Sequence, residues 1–435
     1  MRLRVLAGGM WLLATLAACA EDPGPANGAV PVAIERTADG YRLMRGGEPF
    51  EIRGAGLEFG DVAAFARHGG NAFRTWRTDN GVASGREVLD KALAEGVVVA
   101  MCIEIGRERH GFDYDDESAV AGQLAYARQE VLKYKDHPAL LAWIIGNEPN
   151  LDYTNPGVFD AINDISRMIH EIDGKHPTTT ALAGFGKDLW DVIRTRASDL
   201  DFLSIQMYGD LVNLPEYLAE AAFEGPLFVT EWGAIGHWEM PATPWGAPVE
   251  QHSSAKADNY LRSYQQVIEP LGDQVIGSFV FLWGQKQERT PTWYGMFTET
   301  GEETETVDVM HYIWNGSWPD NRSPRLDGML LDGRNAFQGV KLLAGARYGA
   351  KVDATDPDGD PLEYRWEVKP ESDASQTGGD FEPEIGSLPG LIAEPAAPEI
   401  LLTAPGQPGA YRLFVYVYDG AGHAGHANIP FYVEP

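Results

Sequence analysis

The chain has 435 residues, 44% of them hydrophobic, and this composition excludes a generally disordered protein. The chain is longer than an ordinary domain with a single hydrophobic core, so we expect a large domain with a smaller one attached. The formal charge of −30 argues against nucleic acid and anionic membrane surfaces as partners, because phosphate groups bind to basic patches and the sequence supplies none.

Residues 1–19 have the pattern of an export signal, with two arginines before an apolar stretch. That stretch is shorter than the roughly 20 residues that a membrane-spanning helix needs. Leu16-Ala-Ala-Cys19 resembles the bacterial lipobox, in which the cysteine is lipidated and becomes the mature N-terminus; an ordinary secretory peptide is the alternative. Ala20 follows the cysteine, which by analogy implies retention at the outer membrane. We therefore predict a protein of the bacterial cell envelope, periplasmic or surface-exposed, whose membrane contact is a lipid on Cys19 with residues 20–30 as a tether.

Alternating segments from Val32, interrupted by Asp39-Gly40 and Gly46-Gly47, predict a small hairpin that leads into the first core strand. Beyond it, short apolar runs alternate with amphipathic helical patterns. The predicted strands are Ile52–Leu57, Asn71–Trp76, Val97–Ile105, Leu141–Asn147, Thr178–Leu182, Phe202–Tyr208, Leu227–Glu231 and Ile276–Trp283. The predicted helices include Asp61–His68, Gly85–Glu95, Ser118–Asp136, Val158–Asp173, Leu214–Phe223 and Ala255–Leu271.

Eight strands with intervening helices match a (β/α)8 TIM barrel, for which about 250 residues are typical. With the hairpin, we predict this domain over residues 31–318. The rival fold is an open doubly wound sheet, which would place the chemistry at a topological switch point. Here polar and aromatic residues instead follow several separate strands, which favours the barrel.

A change of composition near Trp318–Pro324 predicts a linker, and the chain beyond it is strand-like. Tyr364–Val368 alternates cleanly, and Tyr411–Tyr418 is rich in β-branched and aromatic residues. We predict a β-sandwich of the immunoglobulin or PKD type over residues 325–435, with a rigid spacer or barrel support favoured over sugar binding as its role.

The segment Asp356-Pro-Asp-Gly-Asp360 resembles a turn of such sandwich modules. Asp356, Asp358 and Asp360 offer oxygen ligands that suit Ca²⁺, but the later glutamate of a helix-loop-helix calcium site is missing. A structural turn is the favoured interpretation, and calcium binding stays open.

Two carboxylates stand where buried strands end: Glu148, in Leu141–Pro149, and Glu231, in Leu227–Gly233. An apolar run buried on both faces should not end in an ionisable group unless that group is paired or used. Pro149 disfavours helical backbone at the preceding residue, so we expect an extended Glu148 whose carboxyl group points into a mouth above the sheet.

Two carboxyl groups that face each other across a pocket can cleave a glycosidic bond. One protonates the leaving oxygen, and the other attacks the anomeric carbon or activates water. These roles require different pKa values, which burial and mutual repulsion provide for the acid and hydrogen-bond donors provide for its partner.

Gly146-Asn-Glu-Pro149 and Thr230-Glu-Trp-Gly233 resemble the strand-4 and strand-7 motifs of clan A glycoside hydrolases, and the resemblance spans residues 51–318. It implies a TIM barrel and a retaining mechanism in which Glu148 is the acid/base and Glu231 the nucleophile. Retention implies carboxyl groups roughly 5–5.5 Å apart.

The same resemblance assigns supporting roles to four residues. Arg74 would hydrogen-bond the nucleophile, Asn147 would contact the sugar 2-hydroxyl, Tyr208 would lie beside the nucleophile, and Trp283 would form the aromatic floor beneath the −1 sugar. The alternatives are a surface ion pair for the arginine and core packing for the aromatic residues.

Further subsite candidates near the predicted strand ends are Trp232, Gln206, Gln285, Trp293 and Glu104. The chain departs from the clan pattern after its third strand. Many clan members have a histidine near that rim, but here Glu104 and Arg107 precede His110.

No cofactor is expected, and no metal is expected at the catalytic site. Gly54–Gly60 nearly matches a dinucleotide fingerprint, but Phe59 occupies the third glycine position, and the sequence has no nucleophile elbow, paired-histidine zinc motif or phosphate-binding loop. We expect a monomeric retaining glycoside hydrolase acting on an oligo- or polysaccharide. Overall resemblance to families 2 and 5, and to the endo-β-1,3-glucanases of family 158, favours a β-glucan, with β-1,3 linkage as one option. The alternatives are a transglycosidase on the same substrates and a non-catalytic glycan-binding surface lipoprotein.

Overall fold

The structure, a computed structural model, describes residues 28–375 and 379–435. The predicted signal with Cys19, and most of the tether, lie outside these residues. The described chain opens with an antiparallel sheet of β1 (Val32–Thr37), β2 (Gly40–Arg45) and β3 (Glu48–Pro49). Backbone hydrogen bonds join this sheet to Lys175 and Asp273, which precede two barrel strands. The small sheet therefore lies at the amino-terminal end of the barrel, away from the strand ends that carry the predicted site.

Eight parallel strands form a closed barrel, and the predicted TIM-barrel fold is confirmed. Every predicted strand is present, although several are shorter than expected. Both faces of the central strands are buried, which explains their continuous apolar sequence. The strands are β4 (Gly54–Gly56), β5 (Ala72–Arg74), β6 (Val98–Ile103), β7 (Leu140–Asn147), β8 (Thr178–Ala183), β9 (Leu203–Gln206), β10 (Leu227–Gly233) and β11 (Val275–Phe281).

Helices follow the strands and cover the barrel. In the described residues, none of them is both long and apolar enough to cross a membrane. They are α1 (Val62–Arg67), α2 (Gly85–Ala94), α3 (Glu117–Tyr134), α4 (Gly157–Ile172), α5 (Lys187–Arg196), α6 (Leu214–Glu220), α7 (Ser253–Ser263) and α8 (Glu305–Asn315).

Two helices were not among those predicted from the sequence. In α5 only Ile193 is buried, so the apolar stripe that marks an amphipathic helix is almost missing. In α8, buried Glu305 and Asp308 interrupt the polar and apolar pattern. The predicted helix Ala255–Leu271 also differs, because α7 ends at Ser263 and continues as a π-helical and then a 3-10 turn.

The chain beyond α8 forms two four-stranded sheets packed face to face, so the predicted β-domain is present. The first sheet has the order β12-β14-β17-β16 and the second β13-β19-β18-β15. The immunoglobulin-like relationship stays a prediction. The strands are β12 (Arg325–Leu331), β13 (Val340–Leu343), β14 (Arg347–Thr355), β15 (Glu363–Pro370), β16 (Ile392–Ala393), β17 (Glu399–Thr403), β18 (Gly409–Tyr418) and β19 (Ala424–Glu434).

A buried polar network joins the sandwich to the barrel. Val249, in the connection after β10, packs into the sandwich core. The neighbouring Glu250 accepts hydrogen bonds from Lys256 Nζ at 2.5 Å and from Asn428 Nδ2 of β19 at 2.6 Å. Burial would raise the pKa of Glu250, but the Lys256 ammonium and the hydrogen bonds lower it to about 2. A buried, fully paired carboxylate therefore bridges the two domains.

The aspartate-rich segment forms a turn after β14. Oδ1 of Asp356 accepts the backbone N–H groups of Asp358, Gly359 and Asp360 at 2.8–3.0 Å. Asp358 bonds elsewhere, to the backbone N–H of Arg322. The favoured turn is therefore present. Carboxylate oxygens of Asp356 and Asp360 lie within 4.8 Å of each other and of Asp419, whereas Asp358 is outside this group, so the three predicted aspartates do not form one ligand set.

Candidate active site

Glu148 and Glu231 border one cavity of about 1060 Å³ at the carboxyl end of the barrel strands. Glu148 directly follows β7, and Glu231 lies near the end of β10. Arg74 ends β5, and Asn147 ends β7. Because parallel strands end on the same side of a barrel, residues far apart in sequence converge there.

Four donors surround the carboxylate of Glu231. Oε1 accepts hydrogen bonds from Arg74 Nη1 at 2.9 Å, from Trp76 Nε1 at 2.8 Å and from Gln206 Nε2 at 2.9 Å. Oε2 accepts one from the Tyr208 hydroxyl at 2.6 Å. Arg74 is fully buried, so its guanidinium and the carboxylate balance each other away from water. Glu231 is thereby held in one orientation.

Tyr208 serves this site as a hydrogen-bond donor. Burial, followed by the charge of Glu231, raises the pKa of the Tyr208 hydroxyl well above its ordinary value. The hydroxyl therefore keeps its proton across the physiological range and donates it to Oε2.

Asn147 is fixed between the same donors. Its Oδ1 accepts from Arg74 Nη2 and from Gln206 Nε2, both at 2.7 Å. Because the amide oxygen is engaged by these two partners, the amide N–H₂ group is the part of Asn147 that can donate to a ligand in the cavity.

Glu148 occupies a different electrostatic environment from Glu231. Burial and then the nearby Glu231 raise the pKa of Glu148 to about 7, against the opposing charges of Arg107, Arg109 and Arg74. A carboxyl group with such a pKa is protonated in a large fraction of molecules at neutral pH and can donate that proton. One carboxylate charge-balanced by Arg74 and one carboxyl group with a raised pKa thus share the cavity.

Sequence comparison aligns parts of the chain with mannan endo-1,4-β-mannosidases. It is 29% identical over 155 residues to the probable mannan endo-1,4-β-mannosidase A-2 of Aspergillus terreus, covering 35% of this chain and 36% of that one. It is 36% identical over 77 residues to the probable A-1 enzyme of the same fungus, covering 18% of this chain and 20% of that one. The chain thus spans about a third or less of the length of these curated relatives. No family model matches it.

Structure comparison superposes the chain on a β-glucuronidase from Ruminococcus gnavus with a TM-score of 0.51 and 15% identity, over 66% of this chain and 53% of that one. At this identity the match shows a shared fold, which agrees with the barrel strand order. The predicted resemblance to glycoside hydrolases is confirmed by the alignment with mannan endo-1,4-β-mannosidases, and the predicted barrel by the shared fold.

The backbone of Glu148 differs from the sequence prediction. We expected extended backbone before Pro149, but Glu148 has a φ of +51°, in the left-handed region. The reason is a turn: the Glu148 N–H bonds the Ala181 carbonyl at 2.7 Å, and the Glu148 carbonyl accepts from Leu151 N–H at 3.1 Å. Such strain at a site residue costs of order 1–3 kcal/mol.

This left-handed backbone predicts an unusual effect on stability. Without a Cβ, glycine adopts positive φ freely, so Glu148→Gly should be roughly 0.5–1 kcal/mol more stable than Glu148→Ala, although both lack the carboxyl group. Urea unfolding of the two variants measures the difference directly, since they differ by one methyl group. A Glu148→Ala variant as stable as Glu148→Gly, or more so, would show that the backbone relaxes at this position.

Of the three predicted tryptophans, two do not border the cavity, and the third borders it with a fully buried side chain. Trp232 follows Glu231 within β10, so alternation turns it outward, where it packs against Tyr260 and does not border the cavity. Trp293 is buried, and its indole N–H bonds the Ile235 carbonyl. Trp283 adjoins the cavity but has no exposed surface, because β11 ends at Phe281 and the indole lies among the aromatic residues of α1 and α8.

Other aromatic residues that the sequence analysis did not single out also border the cavity. Phe281 borders the cavity and makes edge contacts with Trp76, Tyr208 and Tyr294 at centroid distances of 5.6–5.9 Å. Trp293 was singled out from the sequence, whereas its immediate neighbour Tyr294 is the residue that borders the cavity. Trp238 packs edge-on against Tyr208 and remains 59% exposed at the cavity.

The remaining predicted polar residues are placed as follows. Gln285 and Glu104 border the cavity, and Gln206 bonds Glu231 directly. Arg107 and His110 also border the cavity and face Asp380 of the sandwich domain, which the sequence did not predict.

Proposed function

We propose that the protein is a retaining glycoside hydrolase that cleaves β-glycosidic bonds within a polysaccharide by double displacement. The observation that carries this proposal is the pair of carboxyl groups in one cavity, with Glu231 held by four donors and the pKa of Glu148 raised to about 7. Division of labour between two carboxyl groups is what glycoside cleavage requires.

In the first step, the Glu231 carboxylate attacks the anomeric carbon while the Glu148 O–H gives its proton to the departing glycosidic oxygen. The bond from the anomeric carbon to that oxygen breaks, and a covalent glycosyl–enzyme forms. In the second step, the Glu148 carboxylate takes a proton from water, which attacks the same carbon and releases Glu231. Two inversions restore the original configuration.

The hydrogen bonds of Glu231 indicate which oxygen reacts. A carboxylate offers about four lone-pair sites on its two oxygens, and three donors already engage Oε1. Oε2 accepts a hydrogen bond from Tyr208 alone among these four donors. We therefore assign Oε2 as the attacking oxygen, with Arg74 and Trp76 holding the opposite side of the group.

Two observations bear on the substrate. The cavity of about 1060 Å³ is at the upper end of the size of small-molecule sites and suits several sugar units. The aligned relatives are named as mannan endo-1,4-β-mannosidases, which makes β-1,4-mannan the first substrate to test. A β-glucan, including one with β-1,3 linkage, is the second, on the resemblance of the sequence.

A panel of defined β-linked oligosaccharides and polysaccharides tests the proposal, with NMR recording the anomer released first. We expect hydrolysis of at least one β-linked hexose polymer and initial release of the β-anomer. Release of the α-anomer would contradict retention, and no turnover on any member would favour a glycan-binding role. Products longer than the starting chain at high substrate concentration would indicate a transglycosidase.

A further inference from the structure

The sandwich domain contributes to the cavity that holds the two glutamates. Gly379, Asp380 and Phe381 border this cavity together with Glu148 and Glu231. They belong to the long connection between β15 and β16, far along the chain from every barrel strand. The cavity wall is therefore built from both domains.

Polar contacts to two barrel loops fix this part of the connection. Oδ2 of Asp380 accepts from Arg109 Nη1 at 2.7 Å and pairs with His110 Nε2 at 3.1 Å, in the loop after β6. On the other side, the Gly379 carbonyl accepts from Lys286 Nζ at 2.7 Å. Gly379 and Asp380 therefore contact two different barrel loops that border the cavity.

Two neighbouring residues also hold this segment against the barrel. Glu382 is buried, and its Oε2 accepts the backbone N–H of Arg289 at 2.8 Å. Gly379 has a φ of +69°, a left-handed backbone conformation that favours glycine. Residues on each side of Phe381 are thus held against the barrel.

The side chain of Phe381 is hardly buried by this arrangement. Its side chain lies between two anchored acidic residues, yet the residue is 84% exposed. An exposed phenylalanine forgoes the apolar burial that normally stabilises a fold. Phe59 and Trp238, from two barrel loops, also border the cavity and are 68% and 59% exposed. Three exposed rings from three separate segments therefore face one cavity.

We propose that Phe381 is a sugar-binding residue of the catalytic cleft, supplied by the sandwich domain, and that Asp380 positions it. One pyranose ring of the polysaccharide would stack its C–H face on the Phe381 ring, outside the sugars that flank the cleaved bond. Aromatic rings favour such contacts through apolar burial and ring electrostatics. This inference rests on the proposed glycoside hydrolase function and assigns the second domain a direct part in substrate recognition.

Phe381→Ala tests the inference on substrates of increasing length. We expect a rise in KM of about tenfold on the polysaccharide and the longest oligosaccharides, and an unchanged kcat/KM on the shortest chain that the enzyme cleaves. Phe337→Ala is the matched control, because Phe337 is 61% exposed on the same domain but does not border the cavity. Phe381→Trp should keep the wild-type length dependence, and all these variants should share the wild-type melting temperature.

Equal kcat/KM for Phe381→Ala and wild type at every chain length would overturn the inference while leaving the hydrolase function intact. Absence of wild-type turnover on every glycan would instead overturn the proposed function, so the two failures are distinguishable.

A double-mutant cycle tests whether Asp380 acts through Phe381. Asp380→Ala removes the contacts to Arg109 and His110 and should reproduce the length-dependent rise in KM. The double variant should then be no worse than Phe381→Ala alone, because the ring that Asp380 positions is already gone. Losses that multiply in the double variant would show that Asp380 acts by another route.

Discussion

Glu231→Gln is expected to lower kcat/KM by roughly 10⁴-fold or more on every substrate, because a neutral amide cannot attack the anomeric carbon. The fold should persist. The amide oxygen can accept from Arg74, Trp76 and Gln206, and the amide N–H₂ can donate to the Tyr208 hydroxyl oxygen. Steady-state kinetics on the preferred polysaccharide, with circular dichroism as the check on folding, measure both effects. Wild-type turnover by this variant would refute the nucleophile assignment.

Two companion variants separate the charge of Glu231 from its position. Glu231→Asp keeps the ion pair with Arg74 but withdraws the carboxylate by one methylene, and a misplacement of about 1 Å costs about 100-fold in rate. Glu231→Ala leaves a space in which added azide can attack the anomeric carbon of an activated β-glycoside. That single displacement gives an α-glycosyl azide, whereas a variant of the acid would give the β-product. A β-azide from Glu231→Ala would reverse the two roles.

The barrel was predictable because its strands are buried on both faces and therefore read as short apolar runs. The seven residues of β10 are all buried, and the same is true of β7. Glu148 and Glu231 stand out against such runs, and the barrel topology brings the ends of these strands together. The positions of Glu148 and Glu231 could therefore be predicted from the local sequence together with the topology of the barrel.

Side-chain direction was less predictable, since it depends on where each strand stops. Trp232 was predicted at the site because it follows Glu231 near a strand end, and Trp283 because it ends the predicted eighth strand. Because Trp232 directly follows Glu231 in β10, its side chain points to the outside of the barrel. The strand β11 already ends at Phe281, and Trp283 packs between the barrel and its helices. The left-handed φ of Glu148 is likewise set by bonds to Ala181 and Leu151, which no local propensity describes.

The contribution of the sandwich domain lay beyond sequence reasoning altogether. Phe381 stands in a connection without regular secondary structure, and its sequence neighbours carry no sugar-binding motif. Its role depends on how the second domain sits on the barrel, which is fixed by distant contacts such as Asn428 with Glu250. From the sequence, a spacer or support was the favoured role for this domain. The hydrogen bonds of Asp380 to the loop after β6 instead point to a part in substrate binding.

Glu148→Ala should affect natural glycans far more than substrates with activated leaving groups. A sugar hydroxyl leaves poorly without protonation, so kcat/KM on the polysaccharide should fall by about 10²–10⁴-fold. An activated aryl group needs little protonation, so its kcat/KM, which reports the first step, should stay near the wild-type value. Its kcat should still fall, because water in the second step has lost its base. Equal losses in kcat/KM on both substrate types would contradict the acid role.

The pH dependence gives an independent measure of the same residue. Burial and the charge of Glu231 raise the pKa of Glu148 to about 7, and the protonated form is the one that acts in the first step. The kcat/KM of wild type on natural glycans should therefore fall as pH rises through about 7, and Glu148→Gln should lack this alkaline limb. In Glu231→Gln the repulsion is gone, so the pKa of Glu148 should decrease, which a carboxyl-carbon NMR titration can follow. An alkaline limb that persists unchanged in Glu148→Gln would assign the titration to another group.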